Sequence, residues 1–281
     1  MVTLEKSVNT SSPDFDRFAF LEDLKTPSTI HAGRYQVRFA KTVQEIIAAQ
    51  TLRYRVFYLE NDGRPSAEKA AAKRDMDEWD ERGFHIVVLD TDENAQQKVV
   101  GTLRLFFNQY LKPSQDFYTE ETFDLVKLRR FYPRSVELSR FCIDSTGRSG
   151  VILMMIWKYA MTFLQDNYID VMCGSASFAG TDVNAYRPIL SYLYQYHLAP
   201  ESLRPTPKTA DYIDLNTLFE PNTSVQEPRK AIPTLLRGYL KLGAKISDAA
   251  IIDKVFNTTD IAIYVETKNM LQINPKLVMR A

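Results

Sequence analysis

The stretch VELSRFCI, residues 136–143, alternates like a buried strand yet carries Glu137, Ser139 and Arg140. Charged side chains recur in other apolar segments. Arg53 precedes Phe57 by four residues in LRYRVF, Asp77 and Asp80 accompany Trp79 in RDMDEWD, and Arg104 sits within GTLRLFF. An arginine presents a planar fork that grips a carboxylate through two parallel hydrogen bonds, and aspartates hold an ammonium. A zwitterion such as an amino acid requires both. The competing reading is an internal ion-pair network tying the strands to the first long helix, in which desolvation offsets most of the attraction. An amine is largely protonated near neutral pH and must lose a proton before it attacks, so Glu137 is the candidate base. Strand alternation puts Glu137 and Ser139 on one face and Arg140 on the other with Leu138, unless a bulge intervenes.

Other chemistries lack their signatures. There is no glycine-rich dinucleotide or phosphate loop, no nucleophile elbow and no HExxH. His31, His85 and His197 lack metal-ligand spacing, so no metal site is expected. Cys142 and Cys173 lie in strand-like contexts, where a thiol is more often packing than nucleophile. Nothing resembles a disulfide ladder, which points to a reducing, cytoplasmic setting.

The elements that must carry these residues are legible in outline. RYQVRFA (34–40) alternates as a strand. Thr42 followed by Glu45 marks a helix start, and apolar spacing runs on to about residue 60. A charged connector covers 61–81. FHIVVLD (84–90) and KVVGTLRLFFN (98–108) form a hairpin, helical material is expected over 114–130, and a strand spans 135–143. The helix after Gly150 reaches about Asp166, and IDVMCGSASF (169–178) is a further strand. A Tyr- and Leu-rich helix starts at Pro188, and another near Pro233. AAIIDKVF and IAIYVE close the chain as strands. This order gives an α/β mixed sheet in one domain over 33–281, with residues 1–32 as a partly ordered arm.

The chain is electrically neutral overall, which argues against a nucleic-acid binder. Charge is local instead. Between Lys127 and Lys158 seven basic residues stand against two acidic ones, which makes Lys127, Arg129, Arg130 and Arg134 a candidate docking patch for an acidic partner. Arg148 and Gly150 lie where a helix N-terminus binds anions. The longest near-apolar run, VILMMIWKYAMTFL, is too short to span a bilayer.

Taken together, AAQTLRYRVFYLE, RDMDEWDERGFHIVVLD, VVGTLRL, FYTEETFD, VELSRFCI, CGSASFAGTDVNAY and PTLLRGYLKLGAKISDAAIIDKVFNTTDIAIYV resemble the ornithine lipid synthases, the acyl-carrier-protein-dependent ornithine N-acyltransferases. The likeness covers roughly residues 33–267. The spacing of its first half also resembles acyl-homoserine-lactone synthases. The resemblance implies a GNAT-like fold of the α/β (α+β) class, a mixed, mostly antiparallel sheet flanked by helices and splayed between its fourth and fifth strands. It places VELSRFCI on the fourth and IDVMCGSASF on the fifth. It implies transfer of a (3-hydroxy)fatty acyl group from the phosphopantetheine arm of acyl carrier protein to the α-amine of ornithine, with no permanently bound cofactor. Arg53, Phe57, Asp77, Trp79, Asp80, Arg104, Ser139 and Arg140 are then expected at the acceptor. The backbone of Phe141, Cys142 and Ile143 is expected at the oxyanion, and Arg148 and Gly150 at the donor. GRSG is only a loose form of the usual pyrophosphate loop, which fits a carrier-bound donor better than free coenzyme A. Peripheral contact with the inner face of the membrane would follow from a lipid product. Other amine acceptors (glycine, lysine, glutamine or serinol), a lactone synthase and a non-catalytic acyl- or carrier-binding protein remain as alternatives.

Overall fold

A computed structural model of the chain describes residues 17–92, 98–112, 114–145, 150–220 and 232–269. The elements in order are α1 (Arg17–Asp23), β1 (Ile30–Ala32), β2 (Tyr35–Phe39), α2 (Val43–Tyr54), α3 (Ala67–Ala72), β3 (Phe84–Asp90), β4 (Lys98–Phe107), β5 (Phe123–Asp124), α4 (Val126–Phe131), β6 (Ser135–Ile143), α5 (Val151–Asp166), β7 (Val171–Ala179), α6 (Arg187–His197), β8 (Thr206–Pro207), β9 (Tyr212–Asp214), α7 (Thr234–Lys241), β10 (Lys245–Asp253) and β11 (Thr258–Glu266). Nine strands form one sheet in the order β1-β2-β3-β4-β6-β7-β11-β10-β9, and β5 pairs with β8 apart from it. Every named pairing is antiparallel except β6 with β7. The splay is therefore between the sixth and seventh strands in chain order. They become the fourth and fifth only when β1 and the off-sheet β5 are set aside.

Alternation along the central strands assigns the two faces. Ile86 and Val88 of β3, with Leu103, Leu105 and Phe107 of β4, pack in the core that holds Ile152, Ile156, Tyr159 and Phe163 of α5. Val87, Leu89 and Val99 face the other way, onto Ile46, Ala49 and Leu52 of α2. Helices thus cover both faces, which is why β3 and β4 read as nearly continuous apolar runs. The Thr42 hydroxyl caps α2 by accepting from the Glu45 N–H at 3.2 Å. The expected helix to residue 60 continues past Tyr54 as a π-helical turn, Arg55–Glu60. The region 114–130 is less helical than expected, with a short 3-10 turn at Tyr118–Glu121 before β5 and α4. β10 begins earlier than the apolar pattern suggested, at Lys245. In the expected arm, Leu21, Leu24, Ile30 and Ala32 pack against the main core.

Two local features shape the centre of the sheet. β4 advances two residues, Thr102 to Arg104, while β6 advances three, Cys142 to Ser139. Arg140 takes up the difference with φ +52°, a left-handed conformation that is costly for a side-chain-bearing residue. This bulge overturns the simple alternation. Val136 and Leu138 face α5, yet Arg140 joins Glu137 and Ser139 on the α2 side, and Cys142 packs there with α2. The second feature is the parallel pairing of β6 with β7, which covers only Ser135–Glu137 against Val171–Cys173. The next residue, Gly174, lies so close to β6 that an added Cβ would stand 2.4 Å from the Leu138 carbonyl oxygen. A Gly174→Ala change should push the strands apart at the root of the fork and lower stability by about 1–3 kcal/mol, the usual cost of overpacking. Denaturant unfolding of the purified variant beside the parent chain measures it.

Candidate active site

The segment after α3 brings three acids under α2. Asp77 and Asp80 close a reciprocal cap: the Asp80 N–H donates to Asp77 Oδ1 at 3.1 Å, and the Asp77 N–H to Asp80 Oδ2 at 3.4 Å. Cations from four elements converge on these acids. Arg53 of α2 donates to both oxygens of Asp80, at 2.9 and 2.6 Å, and pairs with Asp75 at 3.1 Å. Arg104 of β4 reaches Asp77 at 2.5 Å and Asp80 at 2.8 Å. Arg140 at the bulge reaches Asp75 and Asp77, each at 2.9 Å, and Lys69 of α3 completes the set on Asp75 at 2.9 Å. Burial works against the Asp75 and Asp80 carboxylates, but the surrounding cations outweigh it. Asp75 is held below the usual carboxylate range by Arg140, Arg53 and Lys69, and Asp80 by Arg53 and Arg104. His85 beside them is kept neutral by burial, which lowers its pKa to about 3.

This geometry corrects the expectation for Arg53. Its side chain has no exposed surface and is already committed to Asp75 and Asp80, so it braces the acids and cannot clamp a substrate carboxylate. The same enclosure applies to Asp80 and Arg104. They belong to the ion-pair network that was the competing reading. Trp79 also points inward, donating from its indole to Glu121 at 3.1 Å and packing on Phe106.

Beside the network lies a cavity of about 580 Å³ at the fork. Phe57, Ser139, Arg140 and Phe141 reach it. The Arg140 guanidinium is held between the rings of Tyr118, at 4.5 Å, and Phe256, at 4.7 Å. One side of the cavity, against the main core, is apolar, with Leu138, Leu235, Leu236 and Tyr239. The other is polar, with Thr119, Ser175, Ser177 and Asp260.

Glu137 does not reach the cavity. Its side chain is fully buried, accepting from the Tyr118 N–H at 2.6 Å, the Thr119 N–H at 2.7 Å and the Thr119 hydroxyl at 2.6 Å. Burial raises its pKa to about 7, against the pull of those bonds and of Arg104. The expected direct contact with an amine is therefore replaced by an indirect one, since Thr119 itself lines the cavity and stands 3.5 Å from the Ser175 hydroxyl. Cys142 faces α2, burial pushes its thiol up to about 12, and its backbone N–H, like that of Asp144, is turned toward β4, so the expected contribution of Cys142 at the fork is not found. Phe141 and Ile143 lie on the α5 side.

Gly150, with φ +87°, precedes α5 as its N-cap, while Arg148 lies outside the described residues. In the basic patch, Lys127 and Arg130 are exposed, and Arg134 pairs with Asp170 at 3.1 Å. Arg129 turns inward to Glu120 at 2.5 Å and to Asn108, so it is a structural residue and not part of a docking face. Sequence reasoning missed Asp75, Tyr118, Thr119, Ser175 and Asp260. Asp75 alone carried a signal, as a third acid in the same short run.

The Acetyltransferase (GNAT) domain family matches residues 52–158. The L-ornithine N(alpha)-acyltransferase of Rhodobacter capsulatus is 33% identical over 238 residues, covering 84% of this chain and 91% of the relative. That of Brucella abortus is 35% identical over 237 residues, covering 82% and 84%. Among solved structures, the AHL synthase LasI aligns over 89% of this chain and 100% of its own, with TM-score 0.45 and 12% identity, a likeness too slight to bear on function. The identity and coverage of the two acyltransferases settle kinship: this GNAT-fold chain belongs to the L-ornithine N(alpha)-acyltransferase family.

Proposed function

We propose that the protein transfers a (3-hydroxy)fatty acyl group from the thioester of acyl carrier protein to the α-amine of ornithine, giving a lyso-ornithine lipid and a free carrier thiol. The observation that carries this reading is the fork itself, where β6 and β7 part above a buried carboxylate and open onto a cavity with one apolar and one polar side. A thioester arm fits between the parted strands, its acyl chain against Leu138, Leu236 and Tyr239. Arg140, the one arginine of the network that lines the cavity, offers the positive charge for the acceptor carboxylate.

The amine nitrogen attacks the thioester carbon, and the carbonyl oxygen takes up negative charge. The edge of β6 beyond Glu137 has no partner strand on the β7 side. The Asp144 N–H bonds to Val100 of β4, so alternation turns the Ile143 N–H toward the gap, where it can serve the oxyanion. The nitrogen's proton passes to Thr119 Oγ1 as the hydroxyl proton moves to Glu137. The carbon–sulfur bond then breaks, and the proton returns to the thiolate. No covalent enzyme intermediate is formed. Lys127 and Arg130, exposed on α4, with Arg134, are the proposed docking residues for the acidic carrier. No helix among the described residues is long and apolar enough to cross a membrane. Action in the cytoplasm, with the lipid product passed to the inner face of the membrane, fits this reading.

Expression in a bacterial host that makes no aminolipid, followed by mass spectrometry of extracted lipid, should reveal an acylated ornithine; its absence, with the protein present and folded, refutes the assignment. Proton transfer to Glu137 requires its ionised form, so the rate should rise with pH through about 7. Glu137→Gln and Thr119→Val should each lower turnover by about 10²-fold or more, while Thr119→Ser, which keeps the hydroxyl, should restore both the rate and the pH profile. Reversing Lys127 and Arg130 to Glu should raise the KM for acyl carrier protein at least severalfold in low salt and leave the KM for ornithine unchanged.

A further inference from the structure

Asp260 is a charged group that the network does not use. It lies on β11 opposite Ser177 of β7 and lines the polar side of the cavity. Its Oδ1 is enclosed and no donor meets it in good hydrogen-bond geometry, although the Ser177 and Thr258 hydroxyls stand near enough to favour the charged form. A buried carboxylate oxygen left unpaired is costly, which makes it a point where a ligand's donor would be welcomed. The charged and polar groups around it come from several elements: Ser177 on β7, Thr258 on β11, Asp253 on β10 and Arg140 on β6. Of these, Asp253 is occupied by the N–H groups of Val255 and Phe256, at 2.7 and 2.8 Å. Arg140 is engaged with Asp75 and Asp77.

Resting on the acyl-transfer reading, we infer that Asp260 receives the side-chain ammonium of a diamino acid while the α-amine stands at Thr119 and Ser175. The spacing supports this division. Ser175 and Ser177 share one face of β7, two residues apart, which is roughly 6.6 Å at about 3.3 Å per residue. Five single bonds of about 1.5 Å join the two nitrogens of ornithine, and in an extended chain they span roughly 6 Å. An ammonium meets an enclosed carboxylate in a charge-assisted hydrogen bond, whereas a neutral side chain would leave Oδ1 unsatisfied. Discrimination for a cationic acceptor then comes from Asp260, and reactivity from the fork. Burial, partly opposed by Ser177 and Thr258, brings the carboxyl to about 6, so it is ionised at neutral pH, as the role requires.

The test compares L-ornithine with L-norvaline, which has the same carbon chain without the second amine. The parent enzyme should favour ornithine in kcat/KM, and Asp260→Asn should reduce that ratio at least tenfold, mainly through KM for ornithine. Asp260→Ser, a smaller neutral replacement, should give the same loss if the asparagine disturbs packing. An unchanged ratio in the variants, or a parallel fall for both acceptors, overturns the inference while leaving acyl transfer intact. Failure of the parent enzyme to acylate either amino acid overturns the acyl-transfer reading, and this inference with it.

Discussion

Three carboxylates, Asp75, Asp77 and Asp80, are enclosed with Arg53, Arg104, Arg140 and Lys69. The arrangement of the centre of the protein follows from their mutual pairing. Removing one member leaves its opposites short of a counter-charge in a medium that solvates charge poorly, where breaking an isolated buried pair costs about 3–5 kcal/mol. The lattice therefore behaves as a unit. It connects α2, the turn after α3, β4 and the bulge of β6, elements far apart in the chain. The left-handed backbone of Arg140 becomes tolerable because its guanidinium, once turned to the α2 side, finds two acids and two aromatic faces.

That lattice also determines what reaches the cavity. Arg53, Asp75, Asp80 and Arg104 are buried, so their role is to hold Arg140 and the Tyr118 ring in place. Glu137 has a related task on the next turn. Its carboxylate gathers the backbone of Tyr118 and Thr119, which sets a hydroxyl at the edge of the cavity. A buried acid is thereby connected to the reaction space through a neutral group.

Much of this was legible in the sequence, and the limits are physical. The hairpin of β3 and β4, strand β6 and helix α5 followed from local alternation and helical spacing. Asp77, Asp80, Arg104, Glu137 and Arg140 stood out as charges in apolar runs, and they do assemble. What the pattern could not show was which charges would be consumed by one another. Arg53 and Arg129 look like free cations in the chain and are paired in the fold. The bulge reversed the face of Arg140, since a one-residue irregularity flips every side chain beyond it. Asp260 and Ser175 come together only because β11 inserts beside β7, a long-range pairing without a local signature.

The short parallel contact between β6 and β7 has one more implication. β7 is tied to β11 over nine register positions, and β6 is zipped to β4 on its far side. Neither strand can swing alone without unzipping a neighbour, which favours an aperture already open before any guest arrives. An incoming arm would meet a slot already formed. None of its affinity would be diverted to prying backbone apart, and selectivity would be left to the cargo at its tip.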